Sequence, residues 1–148
     1  MEKKIMPTTY LLIAILLCLG LHFLVPLLYF IPSPWNLVGI IPIVFGIWIN
    51  LSADRAFKKA YTTVKPFEES NTLIQRGVFR LSRNPMYLGF EFILIGLALL
   101  LRSLSPYLVV LLFPIVIDRS FIQVEERMLD TKFEEDWRQY KAKVRKWI

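Results

Sequence analysis

Four stretches of this chain carry almost no charge, and that feature limits its possible folds more than any other. Tyr10 to Ile31 runs for 22 residues without a formal charge, interrupted only by His22 and Pro26. Trp35 to Ala53 is broken only by Asn36, Pro42, Asn50 and Ser52. Met86 to Leu101 contains a single acid, Glu91, and Pro106 to Ile117 contains no charge. A soluble helix confines its apolar residues to one stripe and a soluble strand to alternate positions. These runs do neither. The first two reach the roughly 20 residues that a membrane span needs, and the last two need residues at their ends to reach the interfaces. The expected fold is an all-α membrane protein, a single integral domain over 1–148, with transmembrane helices near 10–31, 35–53, 86–102 and 104–120.

The basic residues sort by side. Lys and Arg number 2 before the first run, none in the first turn, 7 between the second and third runs, 1 in the third turn and 8 after Ile117. Four spans thus leave 17 of the 18 on one side, which the positive-inside rule assigns to the cytosol. Both termini are expected there, with 54–85 and 121–148 as cytosolic segments of a multi-pass protein of the cell membrane or an endomembrane. The net charge of +6 is then a topology signal that also favours anionic lipid headgroups, and it calls for no nucleic acid. The first run exceeds the ~7–15 residues of a signal-peptide core and lacks a small-x-small cleavage site, so it reads as a span. One cysteine, Cys18, and one histidine, His22, cannot build a zinc site, and no metal is expected. Both read as packed or hydrogen-bonded residues of the first span.

The turns Pro32-Ser33-Pro34 and Ser103-Leu104-Ser105 are too short to build a site, so function belongs to the cytosolic segments. Asp54 to Tyr61 reads as a short interfacial helix, with Phe57, Ala60 and Tyr61 toward the lipid boundary. Residues 62–84, with Pro66 and Gly77, read as an ordered loop. Gly39 and Gly46, like Gly89 and Gly96, are seven apart, so each pair lies on one helix face where backbones can approach closely. In the tail, Ile122, Leu129, Phe133, Trp137, Tyr140 and Val144 form a continuous stripe on one long amphipathic helix. Glu125 falls within that stripe, Asp118 extends it, and Glu126 lies at its edge. A carboxylate at position 125 calls for a cationic partner.

The densest polar cluster is Gly77-Val-Phe-Arg-Leu-Ser-Arg-Asn-Pro-Met-Tyr-Leu-Gly89. Pro85 suits the first turn of a helix, where its missing N–H costs nothing. Tyr87 and Glu91, four apart, share a face near the cytosolic end of the third span. An acid inside a membrane helix is a functional candidate, and Arg83, Asn84, Tyr87, Glu91 and Glu125 can converge on one interfacial pocket. Plainer roles stay open: phosphate anchoring for Arg80 and Arg83, an interfacial belt for Tyr87, a structural pair with Arg102 for Glu91. No Gly-x-Gly pair is present, which excludes a dinucleotide fingerprint and a phosphate-binding loop.

Leu73-Ile74-x-x-Gly77-Val-Phe79 followed by Arg83-Asn-Pro-Met-Tyr87-Leu-Gly89 resembles the first signature of the isoprenylcysteine carboxyl methyltransferase and phospholipid methyltransferase superfamily. Glu125-Glu126-x-x-Leu129-x-x-x-Phe133 with Tyr140-x-x-x-Val144 resembles the second, one span later. The resemblance covers about 62–148. It implies S-adenosylmethionine bound at the cytosolic interface, with cofactor contacts from Asn71, Thr72, Leu73, Ile74, Phe79, Asn84, Pro85, Met86, Tyr87, Glu125 and Glu126. Arg83, Tyr87 and Glu91 are the candidate catalytic residues. Glu125 can pair with the cofactor's ammonium, and Arg83 or backbone N–H groups with its carboxylate. Phe79 or Tyr87 can offer a ring to adenine or the sulfonium. Methyl transfer from an activated donor needs orientation and exclusion of water more than a nucleophile or metal.

Three positions depart from the family pattern. Asn84 stands where the family has His, which keeps a hydrogen-bonding group and removes a titratable one. Phe121 stands where prenylcysteine enzymes have an Arg, with Arg119 two residues earlier. Trp137 stands where Tyr is common. The acceptor therefore stays open among a prenylated thiol-carboxylate, a phospholipid amine and another amphiphile, entering laterally from the bilayer. Two further readings are a sterol-reductase-like enzyme using NADPH, toward which Trp137-x-x-Tyr140 leans, and a four-span proton-coupled transporter using Glu91.

Overall fold

A computed structural model describes residues 6–61 and 72–148. Among the described residues five α-helices follow one another: α1 (Pro7–Leu24), α2 (Ile40–Lys59), α3 (Pro85–Leu101), α4 (Tyr107–Ile117) and α5 (Gln123–Lys143). Among the described residues there is no strand, only an isolated bridge between Tyr29 and Ser103. The chain is an all-α membrane protein. Three stretches are long and apolar enough to cross a bilayer: Pro7–Leu24, Trp35–Lys59 and the continuous helical run Tyr107–Lys143. Helix α3, at 17 residues, is shorter. It is also the central helix, packed on α1, α2 and α4, and it buries Leu94 and Ala98 completely.

Local chemistry explains the boundaries. Pro7 and Pro85 occupy the first turns of α1 and α3, where a ring without an N–H is tolerated. Helix α3 ends at Arg102, whose left-handed backbone (φ 67) turns the chain toward α4. Pro114 interrupts the hydrogen-bond ladder of α4, and a π turn over Asp118–Ile122 then joins α4 to α5. Helices α2 and α3 run antiparallel with their glycines face to face, Gly39 against Gly96 and Gly46 against Gly89. A Cβ built on any of the four would overlap backbone or side-chain atoms of the opposite segment, so the contact requires glycine. Gly89→Val should therefore cost about 1–3 kcal/mol through overpacking. Thermal unfolding in detergent would show it, and an unchanged midpoint would mean that the two helices can separate without loss.

At one end the turns lock together. Leu104 N–H donates to the carbonyls of Leu27 and Leu28, Phe30 N–H to Arg102 O, and Arg102 Nε to Ile31 O at 2.9 Å. His22 Nδ1 is hydrogen-bonded to Ser103 Oγ at 2.7 Å, the satisfied role expected of it. Arg83 and the basic tail from Lys141 to Lys146 gather at the other end, where α5 meets the segment leading into α3.

Two local expectations change. Residues 54–59 are the last turns of α2, not a separate interfacial helix. No helix breaker stands between Asn50 and Lys59, and Phe57 packs edge-on against Phe79 at 5.3 Å instead of facing lipid. The tail is not one straight helix either. Glu134 has φ 42 and ψ −108, which breaks α5 into arms 123–133 and 135–143.

Candidate active site

The break in α5 builds the site. From Glu126 to Lys141 an unbroken α-helix would rise by about 22 Å. Yet one guanidinium reaches both. Arg83 donates from Nη2 and Nε to Glu126 Oε1 at 2.8 and 3.1 Å, and from Nη1 to the carbonyls of Lys141 and Val144 at 3.2 and 2.8 Å. The second arm therefore folds back beside the first. The Arg83 and Glu126 side chains are 7% and 14% exposed, so the pair is withdrawn from water. Trp137, fully buried on the second arm, lies with its ring 5.7 Å from the guanidinium carbon, within cation–π range.

The chain after α5 completes the closure. Arg83 N–H donates to Arg145 O at 3.0 Å. Ser82 Oγ and Asn84 Nδ2 both donate to Lys146 O, at 2.9 and 3.2 Å. Lys146 Nζ then pairs with Asp118 at 2.8 Å, and Trp147 packs on the main core. Tyr140 donates from its hydroxyl to Phe79 O at 2.6 Å and is only 3% exposed. Tyr140→Phe should cost about 1–3 kcal/mol, because the Phe79 carbonyl would stay buried without a partner. Denaturant unfolding of the purified protein checks this, and wild-type stability would show that water replaces the hydroxyl.

A second contact joins the two signatures directly. Tyr87 donates from its hydroxyl to Glu125 Oε1 at 2.7 Å. The cationic partner expected for Glu125 is absent among the described residues, and a phenol takes its place. Burial pushes the Glu125 carboxyl above the ordinary carboxylate range; the Tyr87 bond opposes this and the Glu126 charge adds to it. The Tyr87 ring also sits 6.2 Å from those of Phe90 and Phe121, and Phe121 meets Tyr10 of α1 at 5.1 Å.

The expected site residues thus fall into three groups. Ile74, Phe79 and Met86 cluster with Ala53, Val78 and Phe57 where the loop meets the end of α2. Gly77, with φ 62, begins the tight turn that presents Val78 and Phe79 to this cluster, a backbone angle natural to glycine. Arg83, Asn84 and Glu126 engage the tail, while Tyr87 and Glu125 face one another beside them. Buried Pro85 opens α3 between these groups. Thr72 is exposed and Leu73 half-buried at the loop's edge. Asn71 lies outside the described residues. Glu91 stands one turn along α3 from Tyr87, with Cys18 of α1 near enough to feel its charge. It does not meet Arg102, which is at the opposite end of α3 and bonded to Ile31. Sequence reasoning missed Ser82, which is completely buried, and Lys146. Both act through backbone carbonyls or the tail's return, for which no residue pattern stands as a signal.

The model of the phospholipid methyltransferase family matches residues 35–136. The chain belongs to that family. An uncharacterized protein of Haemophilus influenzae is 40% identical over 63 residues, 43% of this chain and the whole of that protein. A Saccharomyces cerevisiae protein-S-isoprenylcysteine O-methyltransferase is 38% identical over 96 residues, 63% of this chain. The match spans only 38% of the yeast enzyme's length. No solved structure matches. A membrane methyltransferase is the activity class these relatives support, and they favour neither the reductase nor the transporter reading. Within this phospholipid methyltransferase family member, the matched stretch holds Arg83, Tyr87, Glu125 and Glu126 together.

Proposed function

We propose that the chain transfers the methyl group of S-adenosylmethionine to a lipid-like or prenylated acceptor at the cytosolic membrane interface. The observation that carries the reading is the Tyr87–Glu125 contact beside the Arg83–Glu126 pair. It brings the two signature segments, separated by a whole span in the sequence, within hydrogen-bond reach of one another. The donor set suits the cofactor. Glu125 has one oxygen on Tyr87 and a second without a hydrogen bond among the described residues, available to an ammonium group. Asn84 precedes α3 without a side-chain cap, so the first N–H groups of the helix can meet a carboxylate. Arg83 has its donors on Glu126 and the tail, and its part in the reaction is to position Glu126 and the second arm of α5. The rings of Phe79, Tyr87 and Phe121 supply apolar walls and exclude water.

When bound, the cofactor supplies a methyl group already activated on a sulfonium. The protein's own task is then orientation: Glu125 and the start of α3 fix the cofactor's amino-acid end, Tyr87 fixes Glu125, and the acceptor arrives from the bilayer alongside α3 and α4. The basic end, with both termini, faces the cytosol in this reading, and its Lys and Arg residues meet anionic headgroups. The test is isothermal titration of the detergent-purified protein with S-adenosylhomocysteine and, separately, NADPH. Binding of the former alone is expected. Binding of NADPH alone would transfer the protein to the reductases, and binding of neither would reopen the transporter reading.

A further inference from the structure

The chain changes character after Asp136: every charged side chain from Arg138 to Lys146 is basic. Lys146 is spent on Asp118, and Arg138 stands 3.9 and 4.0 Å from Asp130 and Glu135. Lys141, Lys143 and Arg145 are exposed, and their side chains have no partner among the described residues. The same stretch faces inward through its main chain. The carbonyls of Lys141, Val144, Arg145 and Lys146 accept from Ser82, Arg83 and Asn84, and Tyr140 reaches Phe79 O. Arg80, likewise exposed and unpaired among the described residues, belongs to that seat, between Phe79 and Ser82. Seating the tail therefore gathers these uncompensated cations at the foot of α3. It also encloses the Trp137 indole N–H without a partner. Like charges held together and an unpaired buried donor both oppose the seated arrangement.

We infer that Arg80, Lys141, Lys143 and Arg145 form a docking surface for an anionic lipid leaflet, and that this contact holds the tail seated on Ser82, Arg83 and Asn84. The inference goes beyond the methyltransferase reading and stands on the tail's geometry alone. Charge complementarity selects an anionic partner, and position selects a leaflet over a soluble polyanion. Pro85, the residue after the seat, opens α3, which carries one acid and no base from Met86 to Leu101. The cations thus gather where an apolar helix begins, the level at which headgroups meet a span. Trp147, packed on the main core two residues past Arg145, is an aromatic of the kind that sits at headgroup depth. An anionic surface attracts each Lys or Arg that comes within a Debye length. It stabilises most the state in which cations are held together, so it favours the seated tail over the released one. Arg83 also holds Glu126, and Asn84 leads into the helix that carries Tyr87. The charge of the leaflet then governs closure of the candidate site.

The test places the full chain in nanodiscs of phosphatidylcholine, alone or in equal parts with phosphatidylglycerol, and follows amide hydrogen exchange without cofactor. The Arg83 amide, bonded to Arg145 O, reports seating of the tail, and amides in the middle of α3 serve as the reference. The anionic bilayer is expected to slow exchange at Arg83 by about tenfold, part of what several cations beside such a surface contribute. Raising the salt to about 0.5 M should remove most of the effect. Lys141→Gln, Lys143→Gln and Arg145→Gln together keep every carbonyl and should abolish the lipid dependence. Lys141→Arg with Lys143→Arg keeps the charge and should retain it. Equal exchange in the two bilayers would overturn the inference, as would lipid dependence that survives in the Gln variant. Slowing of the α3 reference by the same factor would assign the effect to the bilayer as a whole and overturn it too. Equal slowing by soluble polyglutamate in phosphatidylcholine nanodiscs would put an acidic soluble partner in the leaflet's place. None of these readouts uses S-adenosylmethionine, so their failure leaves the methyltransferase reading standing, and failure to bind S-adenosylhomocysteine leaves this inference standing.

Discussion

Arg83→Ala should destabilise the protein by about 3–5 kcal/mol, the cost of leaving one member of a buried ion pair uncompensated. Glu126 would remain in place with its counter-charge gone, and the carbonyls of Lys141 and Val144 would lose their donor. The same guanidinium is what holds the two arms of α5 side by side. Loss of stability should therefore come with increased proteolysis between the arms, around Glu134. Arg83→Lys should recover only part of the effect, because an ammonium cannot present the fork that reaches a carboxylate and two carbonyls at once. Denaturant titration in detergent gives the first number and limited proteolysis the second. Full stability of the alanine variant would show that the pair is solvated and the hairpin held by other contacts.

The second large effect concerns binding. Glu125→Ala should weaken S-adenosylhomocysteine by about 2–5 kcal/mol if its carboxylate meets the ligand's ammonium away from water. Glu126→Ala should act differently, lowering stability through Arg83 and affecting affinity less. Titration calorimetry together with thermal unfolding separates the two. Near-wild-type affinity for Glu125→Ala would take that residue out of the site, and a larger binding loss for Glu126→Ala would reverse the roles.

The sequence carried much of this architecture, for identifiable reasons. Spans announce themselves by length and lack of charge, and the seven-residue glycine spacing anticipated the close packing of α2 on α3. The apolar stripe from Ile122 to Val144 was also legible, and Trp137 and Tyr140 are indeed its most buried members on α5. The hairpin was not. A stripe continues in phase across a break when both arms bury the same side, and no glycine or proline marks Glu134. The partners of Glu125 and Glu126 were hidden for a related reason. Helical phase shows that one acid lies in an apolar face and the other at its edge, but the helix that folds against them decides which meets Arg83 and which meets Tyr87. Ser82 and Asn84 find their partner in the Lys146 carbonyl, and a backbone group has no sequence signature.

The interlocked turns at the far end have a consequence for traffic. The turn between α1 and α2 and the turn between α3 and α4 are tied there by main-chain hydrogen bonds and by Arg102 bridging to Ile31. Such a seam closes the bundle like the bottom of a cup. In the methyltransferase reading proposed above, cofactor and acceptor would then come and go only at the opposite, basic end, and product would leave by the route its precursor took. On that reading the protein would modify its acceptor within one leaflet and leave it on the side where it was found.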